Sequence, residues 1–133
     1  MQNCVFCAIV NKQIPAWIVK ESQHCLAFLD THPVAEYHTL VIPKEHYENI
    51  FDIPQEVLNE IMNLTREVCR LYAEKVGIDS VQLFNNSGHN SAQSVFHFHL
   101  HILPRRKDDQ VRFEVHHNPC GPQDFAAMLE RLK

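Results

Sequence analysis

The sequence predicts an α+β domain: a five-stranded, mainly antiparallel sheet with one long helix packed across it and short helices at the termini. Three observations predict it. From Val95 to Leu103 the chain sets His97, His99 and His101 on one side and Phe96, Phe98, Leu100 and Ile102 on the other, the period-two pattern of a half-buried strand. Between residues 52 and 76, Val57, Leu58, Ile61, Leu64, Val68, Leu71 and Tyr72 recur at three- and four-residue steps, which is a helix stripe that packs on a sheet. The remaining apolar runs are short and set between turn formers.

In chain order, Cys4-Val5-Phe6-Cys7 leads into a short helix. Residues 16–21 and 25–29 read as two strands joined by a turn around Ser22 to His24, and Asp30 closes the second as a turn former or helix cap. A connection from Pro33 to Tyr37 precedes a third strand, residues 38–43, which stops at a proline. Asp52 is placed as N-cap of the long helix, with Gln55 three residues on in the manner of a capping box and Pro54 in the first turn. Gly77 ends that helix. Residues 80–85 form a fourth strand, and 86–94 are a polar loop of small residues leading into the histidine stretch. A charged turn, residues 104–109, is followed by a further strand at 111–115. Phe125, Met128, Leu129 and Leu132 mark a short C-terminal amphipathic helix. The length, 133 residues, corresponds to a single domain spanning 1–133.

Composition excludes some classes. A net charge of −4 with no basic run argues against binding nucleic-acid polymers, which requires many cations on phosphates. No apolar run approaches bilayer length, and Met1-Gln2-Asn3-Cys4 lacks the basic segment and apolar core of a leader, so a cytoplasmic protein with no membrane contact is expected. Five cysteines, an odd number, suit an intracellular chain better than a disulfide framework.

The spacing of the histidines limits their chemistry. Alternate strand residues repeat at about 6.6 Å, so the outer two stem from Cα atoms about 13 Å apart. All three cannot easily grip one ion; two neighbours share a metal, or each has its own task. Cys4 and Cys7 stand at the spacing of a zinc half-site, of a redox pair, or of two reduced thiols in a partly buried turn, and structural zinc needs two more ligands. The loop 86–94 is a plain turn or, placed before a histidine face, a cradle for an anion.

The run from His97 to Leu103, His-apolar-His-apolar-His-apolar-apolar, resembles the signature of the histidine triad family of nucleotide hydrolases and transferases. Leu26-Ala27-Phe28-Leu29-Asp30, His38-Thr39-Leu40-Val41-Ile42-Pro43-Lys44 and Gln93-Ser94-Val95-Phe96 resemble further family segments in the same order, so the likeness runs from Cys4 to Arg105. The resemblance implies a HIT-like fold and a homodimer. It implies action on the α-phosphate of a nucleoside phosphoramidate, aminoacyl adenylate or dinucleoside polyphosphate through a nucleotidyl-histidine. His99 is then the nucleophile, His101 and His38 stabilise phosphoryl charge, and Ser94 protonates or orients the leaving group. Asp30 meets the ribose, while Asn86, Gln93 and Ser94 take sugar and phosphates. Cys4, Cys7, His46 and His97 form the structural zinc site of the family's zinc-containing members. Tyr37, Ser91 and Ala92 depart from the family pattern, standing where glycine is usual. His116 and His117 receive no partner. Two other classes stay open: a purine-nucleotide-binding regulatory or scaffold protein with little catalysis, and an enzyme in which two of the histidines hold a catalytic ion.

Overall fold

The computed structural model describes residues 3–133. Met1 and Gln2, part of the segment read above as lacking a leader, lie outside the described residues. The element order is α1 (Val5–Val10), β1 (Ile18–Glu21), β2 (Cys25–Leu29), β3 (Thr39–Pro43), α2 (Gln55–Val76), β4 (Val81–Phe84), a 3-10 turn (His89–Ser91), β5 (Leu100–Pro104) and α3 (Pro122–Glu130). The strands form one five-stranded sheet in the order β1-β2-β3-β5-β4. Every pairing is antiparallel, as expected.

Period two sorts the side chains. Cys25 and Ala27 of β2, Val41 of β3, and Leu100 and Ile102 of β5 turn to one face, where Ile61, Leu64, Val68 and Tyr72 of α2 cover them. Leu26, Phe28, Leu40 and Ile42 turn to the other, against Phe6 of α1. Each large apolar side chain buried this way contributes about 1.5–3 kcal/mol, so the α2 stripe is the main fastening of the sheet. His101, flanked by Leu100 and Ile102, is thereby sent to the α1 face.

Several boundaries differ from expectation for local reasons. The histidine stretch pairs only from Leu100 onward: β3 matches Val41 to Leu100, Leu40 to His101 and Thr39 to Ile102. Continued further, the ladder reaches Pro43, which has no N–H to give. The chain from Val95 to His99 therefore leaves the sheet, and Phe98 N–H bonds instead to the Tyr47 carbonyl at 2.6 Å. Helix α2 starts at Gln55 with Pro54 in the N-cap position. Asp52 does not cap it; its carboxylate accepts the N–H groups of Glu48 and Asn49, at 3.0 and 2.9 Å, and so closes the preceding turn. Gln55 donates to Asn59 and makes no capping box. Gly77 ends the helix as expected, at φ 72°.

Residues 111–115 form no strand; the Val111 N–H and carbonyl are taken instead by the Asp109 carboxylate and the Arg105 guanidinium. Helix α3 forms, but none of its residues is buried. No helix among the described residues is long and apolar enough to cross a membrane.

Candidate active site

Each imidazole of the stretch is fixed in one tautomer by a backbone group, directly for His97 and His99 and through His38 for His101. His99 Nδ1 lies 2.8 Å from the His97 carbonyl. A carbonyl only accepts, so Nδ1 carries the proton and Nε2 keeps its lone pair. The backbone beyond is tied as well: Asn85 Nδ2 donates to the His99 carbonyl at 2.9 Å, and Ser87 Oγ donates to Asn85 Oδ1 at 2.6 Å. Burial holds His99 below the usual imidazole range, which keeps the ring neutral at pH 7.

His101 has the opposite tautomer. Val34 N–H donates to His38 Nδ1 at 3.2 Å, so a neutral His38 carries its proton on Nε2. That proton is offered to His101 Nδ1, 3.0 Å away, and leaves His101 with an Nε2–H. Burial first, and then the neighbouring His99 and His38, pull His101 down to about 4. Asp30 plays the turn-forming part foreseen for it and also meets His38. Its Oδ1 accepts the His32 N–H at 2.8 Å in a turn, and its Oδ2 lies 3.6 Å from His38 Nε2. Asp30, His38 and His101 converge closely enough to suggest an ion.

His97 faces a different environment. Its Nε2–H donates to the Pro43 carbonyl at 2.8 Å, which frees Nδ1 as a lone pair. Burial lowers this ring to about 4. Around Nδ1 stand Cys4 Sγ at 3.3 Å, Cys7 Sγ at 3.5 Å and His46 Nδ1 at 3.2 Å, with Cys7 Sγ 3.3 Å from His46 Nδ1. A tetrahedral ion with bonds of about 2.3 Å to sulfur and 2.0 Å to nitrogen spaces its ligands about 3.3–3.8 Å apart. These four donors fit such an ion. Cys4 caps α1, its Sγ accepting the Cys7 N–H at 3.4 Å, so the helix itself sets the Cys-x-x-Cys pair.

Beside His99 and His101 runs a cleft of about 480 Å³, lined by Phe6, Ile9 and residues 14–16 on one side and by Phe28, Asp30, Leu40, Ser94 and Val95 on others. A larger depression of about 790 Å³ adjoins it at Ser94 and Val95 but lies over Cys4, His46 and Glu48. Only the first meets the two imidazoles with assigned tautomers.

Residues 11–108 match the HIT domain. The chain belongs to the HIT family. It is 35% identical to adenosine 5'-monophosphoramidase HNT1 of Saccharomyces cerevisiae over 79% of this chain and 64% of that one. It is 36% identical to adenylylsulfatase HINT3 of Arabidopsis thaliana over 82% of this chain and 56% of that one. It thus spans less than two thirds of the length of these two relatives. The solved structure of SMU.412c from Streptococcus mutans UA159 aligns with a TM-score of 0.91 at 30% identity, covering 99% of this chain and 84% of that one.

In this HIT domain Asp30, Ser94, His99 and His101 line the cleft, with His38 directly behind His101. Asn86 and Gln93 do not line it. Gln93 is buried with its amide engaged: Oε1 accepts the Gly88 N–H at 2.7 Å, and Nε2 donates to the Glu48 and Val95 carbonyls at 2.7 and 3.1 Å. These bonds hold the loop. Cys4 and Cys7 precede the matched HIT residues, yet they complete the His46–His97 cluster. Three contributors were missed from sequence. Phe6 packs edge-on against both His97 and His99, Asn85 ties the His99 carbonyl, and Val34 sets the His38 tautomer through its backbone. Only Asn85 left a signal, as the first of two asparagines closing a strand.

Proposed function

We propose that this HIT protein is a nucleotide hydrolase or transferase that works on the α-phosphorus of a nucleoside phosphoramidate or a mixed nucleotide ester or anhydride, through a nucleotidyl-His99 intermediate. The observation that carries this reading is the pair of opposite tautomers in one cleft: His99 keeps a neutral Nε2 lone pair and His101 keeps an Nε2–H, and both rings line it. The lone pair attacks phosphorus; the P–N or P–O bond to the leaving group breaks, and that group departs with a proton from Ser94 or water. Nε2–H of His101, backed by His38, donates to the phosphoryl oxygen on which charge grows. Water then attacks phosphorus, releases the nucleoside monophosphate and returns His99 to its starting state. The apolar walls at Phe6, Ile9 and Phe28 suit a base, and Asp30 at the cleft suits the ribose hydroxyls. The two named relatives, a monophosphoramidase and an adenylylsulfatase, support an adenylyl group with a variable leaving group.

Zinc is proposed for the Cys4, Cys7, His46 and His97 cluster. When bound it supplies no chemistry to the phosphate; it joins α1 to the start of the histidine stretch. A homodimer is also proposed, formed across the outer edge of β4, where Leu83 is 42% exposed beside the exposed Met62.

The test is a quenched reaction with adenosine 5'-phosphoramidate, analysed by intact-mass and peptide mapping. A nucleotidyl adduct on His99 with release of AMP is the expected result. Tight nucleotide binding with neither adduct nor product returns the protein to the binding-module class.

A further inference from the structure

The strand that flanks β5 on the outside ends in an aromatic residue that the chemistry above does not use. Phe84 is the cross-strand partner of His101. Its ring lies flat on the imidazole, with centroids 4.3 Å apart and planes 12° from parallel. Phe113 meets Phe84 edge-on, at 6.1 Å and 72°. Phe113 is 51% exposed and belongs to no helix or strand, so something else must deliver it.

Arg105 does so. Its backbone N–H bonds to the Ser80 carbonyl at 2.8 Å, which fixes it beside the start of β4. Its guanidinium donates to the Asp109 carboxylate at 2.7 and 3.0 Å, to the Val111 carbonyl at 2.8 Å, and to Gln82. Asp109 accepts the N–H groups of Arg106 and Val111 in return, each at 3.0 Å. The charged turn is thus a bracket that folds the chain back along β4, and Phe113 arrives two residues after its last bond.

We propose that Phe84, backed by Phe113, is a positioning residue for His101: the flat stack closes the back of the imidazole and keeps its Nδ1 on His38 and its Nε2–H toward the cleft. This rests on the reading of His101 as the donor to the phosphoryl oxygen. The titratable groups around His101 all come from other directions: His99 on its own stretch at 5.0 Å between centroids, His38 at 5.2 Å, and Asp30 at the cleft, 3.6 Å from His38 Nε2. The β4 side is the uncharged wall. Leucine at position 84 fills similar space without a flat face, so the ring can tip and break the bond to His38.

The experiment measures kcat and KM on adenosine 5'-phosphoramidate together with the His101 tautomer, read by long-range proton–nitrogen NMR. Phe84→Leu is expected to lower kcat about 3- to 10-fold, the scale of a lost aromatic pair, with KM unchanged. The His101 signal then changes from a single Nε2–H form to a mixture. Phe113→Ala moves both readouts the same way by about 2- to 3-fold, and Phe113→Tyr, which keeps the ring, recovers them. Phe125→Ala, on the exposed face of α3, changes neither. Wild-type kcat and a single tautomer in Phe113→Ala and Phe84→Leu overturn the proposal, as does a tautomer mixture with unchanged kcat. If Phe84→Leu does not fold, Phe113→Ala decides alone, since its ring is half exposed. A wild-type protein without turnover refutes the proposed function instead, and the tautomer still reports whether the stack holds the ring.

Discussion

The two ends of the histidine stretch are held by different means. At the His101 end the backbone lies inside the sheet, with Leu40 of β3 on one side and Phe84 of β4 on the other. Position there is a product of topology. At the His97 end the chain has already left β3, and the ring is fixed by the Pro43 carbonyl and by a cluster whose two sulfurs come from the N-terminal segment. His99 sits at the junction and draws on both, through the His97 carbonyl and the Asn85 tether. The sheet therefore places His101, the proposed charge-stabilising group, whereas His99, the proposed nucleophile, depends on a clip made by distant residues.

The largest effect tests the junction. His99→Ala is expected to lower turnover at least about 10³-fold, the scale of a deleted nucleophile, while melting temperature and metal content stay near wild type. Turnover within about tenfold of wild type in that variant removes the covalent route. A smaller but more discriminating effect comes from Cys4→Ala. It should lose the proposed zinc and about 2–4 kcal/mol of stability, read by elemental analysis and thermal melts. Hydrogen exchange sharpens the contrast: protection should fall across residues 95–99 and α1 but persist in β5. Equal loss along the whole stretch would show that the two ends are not independently held.

How much of this was legible follows from the same division. The in-sheet part was read well, because alternation reports directly which side chains share a face, and His101, Leu100 and Ile102 lie as the period requires. The off-sheet part was misread as strand, since Pro43, fifty-odd positions away in the chain, is what ends the ladder there. Asp52 shows the same limit at short range: an acidic residue before a helix pattern looks like a cap, but the nearer N–H groups of Glu48 and Asn49 took it. The four metal-type ligands were assigned through family likeness, as Cys4 and Cys7 alone left three readings open. Asn85, Phe6 and Phe84 act by contact with rings or backbone placed only by the tertiary fold, and no spacing rule announces such contacts.

Titration offers a third test, of the sheet-held end. His101 is pulled to about 4 by burial, against about 6.5 in an unfolded chain. Between these values the unfolded chain binds a proton that the folded ring refuses. The contribution of His101 to stability is therefore fully present above about pH 6.5 and is lost as the pH falls toward 4. Its ring resonances should remain those of a neutral imidazole down to about pH 5. A ring that titrates near 6.5 means the sheet and Phe84 do not shield it.

The smallest effects concern how the chain approaches each end, because a non-glycine residue with positive φ stands before both. Tyr37, at φ 65°, leads to His38; Ala92, at φ 67°, leads to the loop bond of Gln93. At Tyr37 the strain is offset: its ring packs on Tyr72 at 5.1 Å, and its carbonyl accepts from Thr39 Oγ1 at 2.7 Å. Tyr37→Gly should thus cost about 1–3 kcal/mol, since lost aromatic packing exceeds the strain relieved. Ala92 has only a methyl group to set against the same conformation. Relief of about 1–2 kcal/mol in the fold, less about 0.5–1 kcal/mol for the freer unfolded chain, predicts that Ala92→Gly stabilises by up to about 1.5 kcal/mol. Denaturant melts of the two variants should move in opposite directions, and a shared direction means that backbone strain is not what separates the two approaches.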